Sequence, residues 1–146
     1  MTQQITKLEN LKFLTTKSEL DLIFKPCFTL VEDIGIQATE NGLKTRFMDN
    51  SHVALIDLNF KNLEDYSLMG NREFNFDVRA ESINPILKQL DKKAKYEFIL
   101  EEYGDKMKLY LNELNILENN INQVFMFVVD KSERAFNTPI PKYDND

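Results

Sequence analysis

FLTTKSELDLIFKPC, residues 13–27, and FDVRAESINPILKQL, residues 76–90, are two versions of one pattern. A shift of 63 positions lays Phe13 on Phe76, Leu20 on Ile83, Ile23 on Ile86, Phe24 on Leu87 and Cys27 on Leu90. In both segments a short apolar strand leads into residues spaced as on one helical face. The first strand reads as Leu11–Thr16, and Ser18 is placed to cap the helix that follows. The stripe Leu20, Ile23, Phe24, Cys27, Val31 carries that helix to about Val31, with Pro26 predicting a kink or an early end. The second helix reads as Glu81–Leu90, with the stripe Ile83, Ile86, Leu87, Leu90 and with Pro85 tolerated in its first turn.

Beyond each helix the spacing changes to that of strands. Ile34, Ile36 and Ala38 alternate with polar residues, Asn41-Gly42 is a hairpin signal, and Leu43–Met48 returns. A turn near Asn50 leads to a Val- and Leu-rich strand over His52–Phe60. In the second half Phe74, Phe76 and Val78 alternate before the helix. After it, Tyr96–Glu102 is a strand, Gly104-Asp105 a turn, Met107–Leu111 a returning strand and Val124–Val129 a last apolar strand. Each half therefore reads strand, helix, three strands. Neither half hides its apolar helix face alone, and side by side they place both helices on one sheet. The expected fold is α+β with a pseudo-twofold: two βαβββ units, two helices on one face of an antiparallel sheet.

The 146 residues fit one such domain and a short tail, and 42% apolar content supplies a core. A net charge of -6 excludes a generic nucleic-acid coat but leaves room for a locally basic face. Cys27 is the only cysteine and sits on the apolar helix face, where it predicts an inert packing residue and no internal disulfide. His52 is the only histidine, so a zinc site would have to rest on carboxylates; no metal or cofactor is expected. The polar start, MTQQITKLEN, has no signal core, and no run is long enough to span a bilayer, which predicts an intracellular protein. There is no phosphate loop and no dinucleotide fingerprint. Asp49, Ser51 and His52 contain the atoms of a hydrolase triad, but at this spacing the side chains diverge, so catalysis is not expected. The tail from Lys131 to Asp146, with Pro139 and Pro141, reads as an extended connector.

FMDNSHVALIDL, residues 47–58, resembles the signature run of the proliferating cell nuclear antigen clamps, a Met-Asp-Ser-Ser-His-Val-Ser-Leu type of segment. Met48, Asp49, Ser51, His52, Val53 and Leu55 fit it, and Asn50 and Ala54 depart from it. The order of strand, helix, Asn-Gly hairpin, motif, second helix and second Gly turn is also similar, over roughly Leu11 to Pro141. The resemblance implies a DNA clamp domain. Such clamps are non-catalytic rings of six similar domains, two per chain, around double-stranded DNA, with helices lining the hole and sheets outside. They act as processivity factors that tether DNA polymerases, meet a clamp loader, and dock partner peptides of a Gln-x-x-aliphatic-x-x-aromatic-aromatic pattern beneath an interdomain connector.

Carried onto this chain, the resemblance implies a peptide pocket of Met48, His52, Val53 and Leu55, flanked by Phe136 and Pro139. It implies a DNA-facing set of Lys25, Lys88, Lys92 and Lys93, with Lys88 and Lys92 opposite the apolar stripe of the second helix. Asp21 and Phe28 stand where relatives are often basic. The last strand would meet a neighbouring subunit through Val124, Phe125 and Phe127, leaving an unpaired apolar edge in a lone domain. Residues 1–130 correspond to the clamp's amino-terminal domain and 131–146 to the connector, with the second domain absent. That predicts either a piece of a longer clamp or a single-domain clamp that closes a ring with six copies. The runner-up is a clamp-like viral or accessory polymerase-binding module that does not close a ring. The setting would be the nucleus in a eukaryote and the cytoplasm in an archaeon or virus.

Overall fold

The structure, a computed structural model, describes residues 8–69, 73–103, 106–115 and 117–131. The Gly104-Asp105 turn, the connector, Phe136 and Pro139 lie outside the described residues. Strand β1 (Leu8–Thr16) runs directly into helix α1 (Lys17–Phe28), and β6 (Phe74–Arg79) runs directly into α2 (Ala80–Gln89). The helix starts, Lys17 and Ala80, keep the spacing of the sequence repeat. Thr16, not Ser18, caps α1: its hydroxyl oxygen accepts from the Glu19 N–H at 3.3 Å. The helix ends at Phe28, short of Val31. Pro26 sits in its last turn, where its ring deprives the Leu22 carbonyl of an intrahelical donor. Pro85 lies in the middle of α2 rather than its first turn, because that helix begins at Ala80.

After α1 come β2 (Asp33–Thr39), β3 (Gly42–Met48), β4 (Leu55–Lys61) and β5 (Glu64–Leu68). After α2 come β7 (Lys95–Tyr103), β8 (Lys106–Asn115) and β9 (Asn120–Lys131). The first unit thus carries an extra strand, β5. Its segment EDYSL alternates only over Tyr66-Ser67-Leu68, and Asp65 is left-handed at φ 50°, so the pattern is too short to mark a strand.

The strand order is β4-β3-β2-β6-β9-β8-β7-β1-β5, antiparallel throughout. The two units have exchanged their first strands. β6, from the second unit, pairs with β2 of the first, as in Ile36↔Phe76; β1, from the first, pairs with β7 of the second, as in Phe13↔Phe98. β4 and β5 stand at opposite ends of this order, yet only Asn62 and Leu63 separate them in the chain. A flat sheet of nine strands, each about 4.8 Å from the next, cannot be bridged by two residues. The sheet therefore curls until its ends meet. Tyr66 of β5 marks the closure: its hydroxyl donates to the Thr39 carbonyl at 2.6 Å and lies 3.1 Å from the Gly42 carbonyl, at the far hairpin. Burial pushes the Tyr66 phenol well above its ordinary range, which keeps this donor protonated.

One core fills the fold. Leu20, Ile23, Phe24 and Cys27 of α1 and Ile83 and Leu87 of α2 are buried against Phe13, Ile36, Phe76, Phe98 and Leu109 of the strands. Phe13 and Phe98 stack with ring centroids 4.5 Å apart. The helices are neighbours, and the Lys17 ammonium donates to the Leu87 carbonyl at 2.6 Å. Cys27 is fully buried; desolvation pushes its thiol up to about 11, so it stays protonated and inert at neutral pH.

β9 stands inside the strand order, yet most of one of its sides is an open edge. It pairs with β8 along its length and meets β6 on the other side, but only at Phe76↔Lys131 and Asp77↔Asp130. From Asn120 to Val129 its second side has no strand partner among the described residues.

Gly42 opens β3 with φ 145°, a conformation that disfavours any side chain, and an added Cβ would stand 2.0 Å from the Phe60 carbonyl oxygen of β4. Gly42→Ala should lower the unfolding free energy in a urea titration by about 2–4 kcal/mol. An unchanged midpoint would show that β3 and β4 are not packed as described.

Candidate functional site

The signature run forms the β3–β4 connection. Its two flanks, Met48 and Leu55, face each other across the ladder. Phe47 and Ile56 turn into the core, so Met48 and Leu55 point to the opposite, outer face, where both are half-buried. Beside them on that face Arg46 and Asp57 form an ion pair at 3.1 Å.

Between the flanks, residues 49–54 make a closed turn built on Asp49. Its N–H donates to the Ala54 carbonyl at 3.0 Å, and its own carbonyl accepts from the His52 N–H at 2.9 Å. Its carboxylate Oδ1 accepts from the Val53 and Ala54 N–H groups, each at 2.9 Å, and Oδ2 accepts from the Ser51 hydroxyl at 2.5 Å. The hydrogen bond from the Ala54 backbone, then that from Ser51, holds the Asp49 carboxyl below the usual carboxylate range. Ser51 is thereby committed to Asp49, a geometry unlike a nucleophile aligned on an imidazole.

This turn corrects the strand expected over His52–Phe60. The strand begins only at Leu55, because the Asp49 carboxylate takes the amides of Val53 and Ala54 before a ladder can use them. His52 is left-handed at φ 57°, and its side chain and that of Val53 are exposed, Val53 by 81%. Of the implied pocket residues, Met48, His52, Val53 and Leu55 thus lie within one hairpin end. The Asp-x-Ser spacing was the available signal for the turn.

The lysines gather at the helices. α1 and α2 border a cleft of about 350 Å³ lined by Lys17, Lys25, Phe28, Thr29, Asn84, Leu87 and Lys88. Lys25 and Lys88 are exposed at its rim. Lys92 does not extend the face of α2, which stops at Gln89; Lys92 and Lys93 occupy the following turn, where the Lys93 N–H donates to the Asp91 carboxylate at 2.9 Å. Asp21 lies between two lysines, 3.5 Å from Lys17 and 3.6 Å from Lys25. Lys17 was not anticipated as part of this face, although its i,i+4 spacing to Asp21 could have suggested the pair.

On β9 the side chains alternate. Phe125 and Phe127 pack against the core, while Val124, Met126 and Val128 are exposed by 52%, 48% and 50% on the other face. Among the described residues there is no group of three or more His, Cys, Asp or Glu side chains able to hold a metal ion. None of the described helices is long and apolar enough to cross a membrane.

This strand-exchanged α+β architecture, with paired helices on one sheet face, is the fold of a sliding-clamp domain. The crystal structure of proliferating cell nuclear antigen from Thermococcus kodakaraensis matches it with a TM-score of 0.65 at 18% identity, covering 92% of this chain and 52% of that one. Residues 11–134 match the family described as proliferating cell nuclear antigen, N-terminal domain, and the chain belongs to that family. It is 30% identical over 128 residues to the DNA polymerase sliding clamp of Nitrosopumilus maritimus (strain SCM1), covering 88% of this chain and 48% of the relative. The same identity holds over 137 residues with the DNA polymerase sliding clamp of Cenarchaeum symbiosum (strain A), again 88% and 48%. The chain spans about half the length of these curated relatives.

If the left-handed backbone at position 52 is set by the turn, a β-branched residue there is costly and glycine is tolerated. His52→Val should cost about 1–2 kcal/mol in thermal or urea unfolding, and His52→Gly no more than about 0.5 kcal/mol. Equal effects would remove the backbone argument.

Proposed function

We propose that this chain supplies one domain of a DNA sliding clamp: a ring segment that holds its helices toward duplex DNA and carries a partner-peptide seat on its sheet. It works by topology and involves no bond making or breaking. Its effect is to raise the local concentration of a tethered polymerase at the template. The observation that carries this reading is the family match over residues 11–134 on a fold that separates a lysine-bearing helix face from an exposed apolar hairpin end. A sliding protein needs phosphate contact that is weak and sequence-blind. Lys25, Lys88, Lys92 and Lys93, all exposed in an otherwise acidic chain, suit that role. A docking peptide needs apolar ground for its aliphatic and aromatic anchors, and Met48, Val53 and Leu55 beside His52 offer it; Phe136 and Pro139 of the connector are proposed as further peptide contacts.

Ring closure would use β9, whose unpaired side from Asn120 to Val129 offers backbone donors and acceptors to a strand of the adjoining subunit, with the exposed Val124 and the half-buried Phe125 and Phe127 beside it. On this reading residues 1–130 are the amino-terminal clamp domain and 131–146 its interdomain connector. Duplex DNA, a polymerase and a clamp loader are the partners this reading requires, and they place the protein inside the cell.

Both faces are tested in a ring-competent form that carries the second domain. Lys88→Glu with Lys92→Glu should reduce retention on circular duplex DNA and polymerase processivity at moderate salt. The log–log salt slope of DNA binding should flatten by about one unit per lost phosphate contact; an unchanged slope removes these lysines from the DNA face. Leu55→Ala should weaken a Gln-x-x-aliphatic-x-x-aromatic-aromatic peptide about tenfold, as expected for one truncated apolar contact. Unchanged peptide affinity would remove the hairpin end from the seat.

A further inference from the structure

The turn of residues 49–54 holds more order than the fold requires. Ser51, His52, Val53 and Ala54 are all exposed, so their side chains add little to the core. Yet five hydrogen bonds converge on Asp49 to fix them: two from its backbone groups and three on its carboxylate. One carboxylate oxygen alone binds two consecutive amides. His52 is held in the left-handed region at φ 57°, which few non-glycine residues adopt. Val53, an apolar side chain exposed by 81%, is carried at the tip. A strained, exposed turn so fully tied down stabilises the free protein little. It matters if something must meet that turn in one shape, because order present beforehand is not lost on association.

We infer that Asp49 is a positioning residue: its carboxylate locks the 49–54 turn so that His52 and Val53 are presented to the incoming peptide in a ready-made geometry. The inference rests on the reading of this hairpin end as the peptide seat. It adds a statement about the peptide's chemistry. The amides of Val53 and Ala54 are already engaged by Asp49, so they are closed to a peptide backbone. At this tip the peptide is gripped through apolar and aromatic side chains against Val53, Leu55 and Met48, not by strand addition. Because its hydrogen bonds keep Asp49 ionised well below neutrality, the lock is in place wherever such peptides are ordinarily measured.

The test uses the whole chain and a fluorescently labelled Gln-x-x-aliphatic-x-x-aromatic-aromatic peptide. Asp49→Ala removes all three carboxylate bonds and should weaken the peptide about tenfold or more, through lost preorganisation. Asp49→Asn keeps an oxygen that accepts from the Val53 and Ala54 N–H groups and should bind within about threefold of the parent. Amide hydrogen exchange at Val53 and Ala54 should accelerate in Asp49→Ala and stay slow in Asp49→Asn, while the melting temperature of each variant reports any global loss. Leu55→Ala runs beside them. If Leu55→Ala weakens the peptide and Asp49→Ala does not, the lock is overturned and the seat stands. If Asp49→Asn is as weak as Asp49→Ala despite slow amide exchange, the charge and not the turn geometry governs binding, and the lock is again overturned. If Leu55→Ala has no effect, the seat itself falls, and this inference falls with it.

Discussion

Two residues, Asn62 and Leu63, join the strands that stand at opposite ends of the nine-stranded order, and that covalent limit dictates the shape of the rest. Closing the sheet brings Tyr66 against the β2–β3 hairpin, where its buried hydroxyl satisfies the Thr39 carbonyl. Phe13 stacks between Tyr66 on one side and Phe98 on the other, with centroids 6.1 Å and 4.5 Å away. Curling turns the apolar faces of all the strands toward one interior, and the buried stripes of α1 and α2 complete it. The opposite faces, including the outer side of β3 and β4 with Met48 and Leu55, are left outside.

The exchange of first strands has a second consequence. Each helix follows directly from a strand that is paired to the other unit: α1 from β1 beside β7, α2 from β6 beside β2. The position of one helix is thus fixed by the other repeat's sheet. Neither repeat folds on its own template, and the two helices are held side by side by the same pairings that join the halves. The Lys17 ammonium, donating to the last turn of α2 at the Leu87 carbonyl, ties the two together at the surface. A carbonyl near a helix C-terminus is a natural acceptor for a cation, so this link needs no distortion of either helix.

The local parts of this fold were legible because they rest on short-range chemistry. The 63-residue repeat marked both strand-to-helix junctions, and the apolar stripes named the buried helix faces. Gly42 marked the hairpin, though its glycine serves the close approach of Phe60 at the start of β3. What escaped was set by competition or by distance. Thr16 outcompeted Ser18 as the cap because the helix begins at Lys17. The Asp49 carboxylate drew Val53 and Ala54 out of the strand that their apolar character suggested. Strand exchange and the added β5 depend on which distant segments pair, and the residues of a single strand carry no record of its neighbours. For the candidate site, the signature run falls on a single hairpin end, but the lysine face was drawn from helix spacing that stops at Gln89, so Lys92 and Lys93 fall in a turn.

The lysines at the helices are not equivalent, and their differences bear on how such a face could meet DNA. Lys17 is only 12% exposed; its ammonium is taken by the Leu87 carbonyl and lies within reach of Asp21. Lys25 is well exposed but shares the same Asp21 carboxylate. Lys88, Lys92 and Lys93 carry no ion pair among the described residues. One aspartate therefore offsets much of the charge on α1, and the uncompensated cations cluster at the end of α2 and in the turn after it. On a chain of net charge -6 such a small cluster gives a local, screened attraction. Strong clamping onto phosphates would oppose movement along the duplex, whereas a few exposed ammonium groups exchange contacts readily. On the proposed reading, holding power must then come from ring closure, and the helix face has only to keep the duplex centred without gripping it.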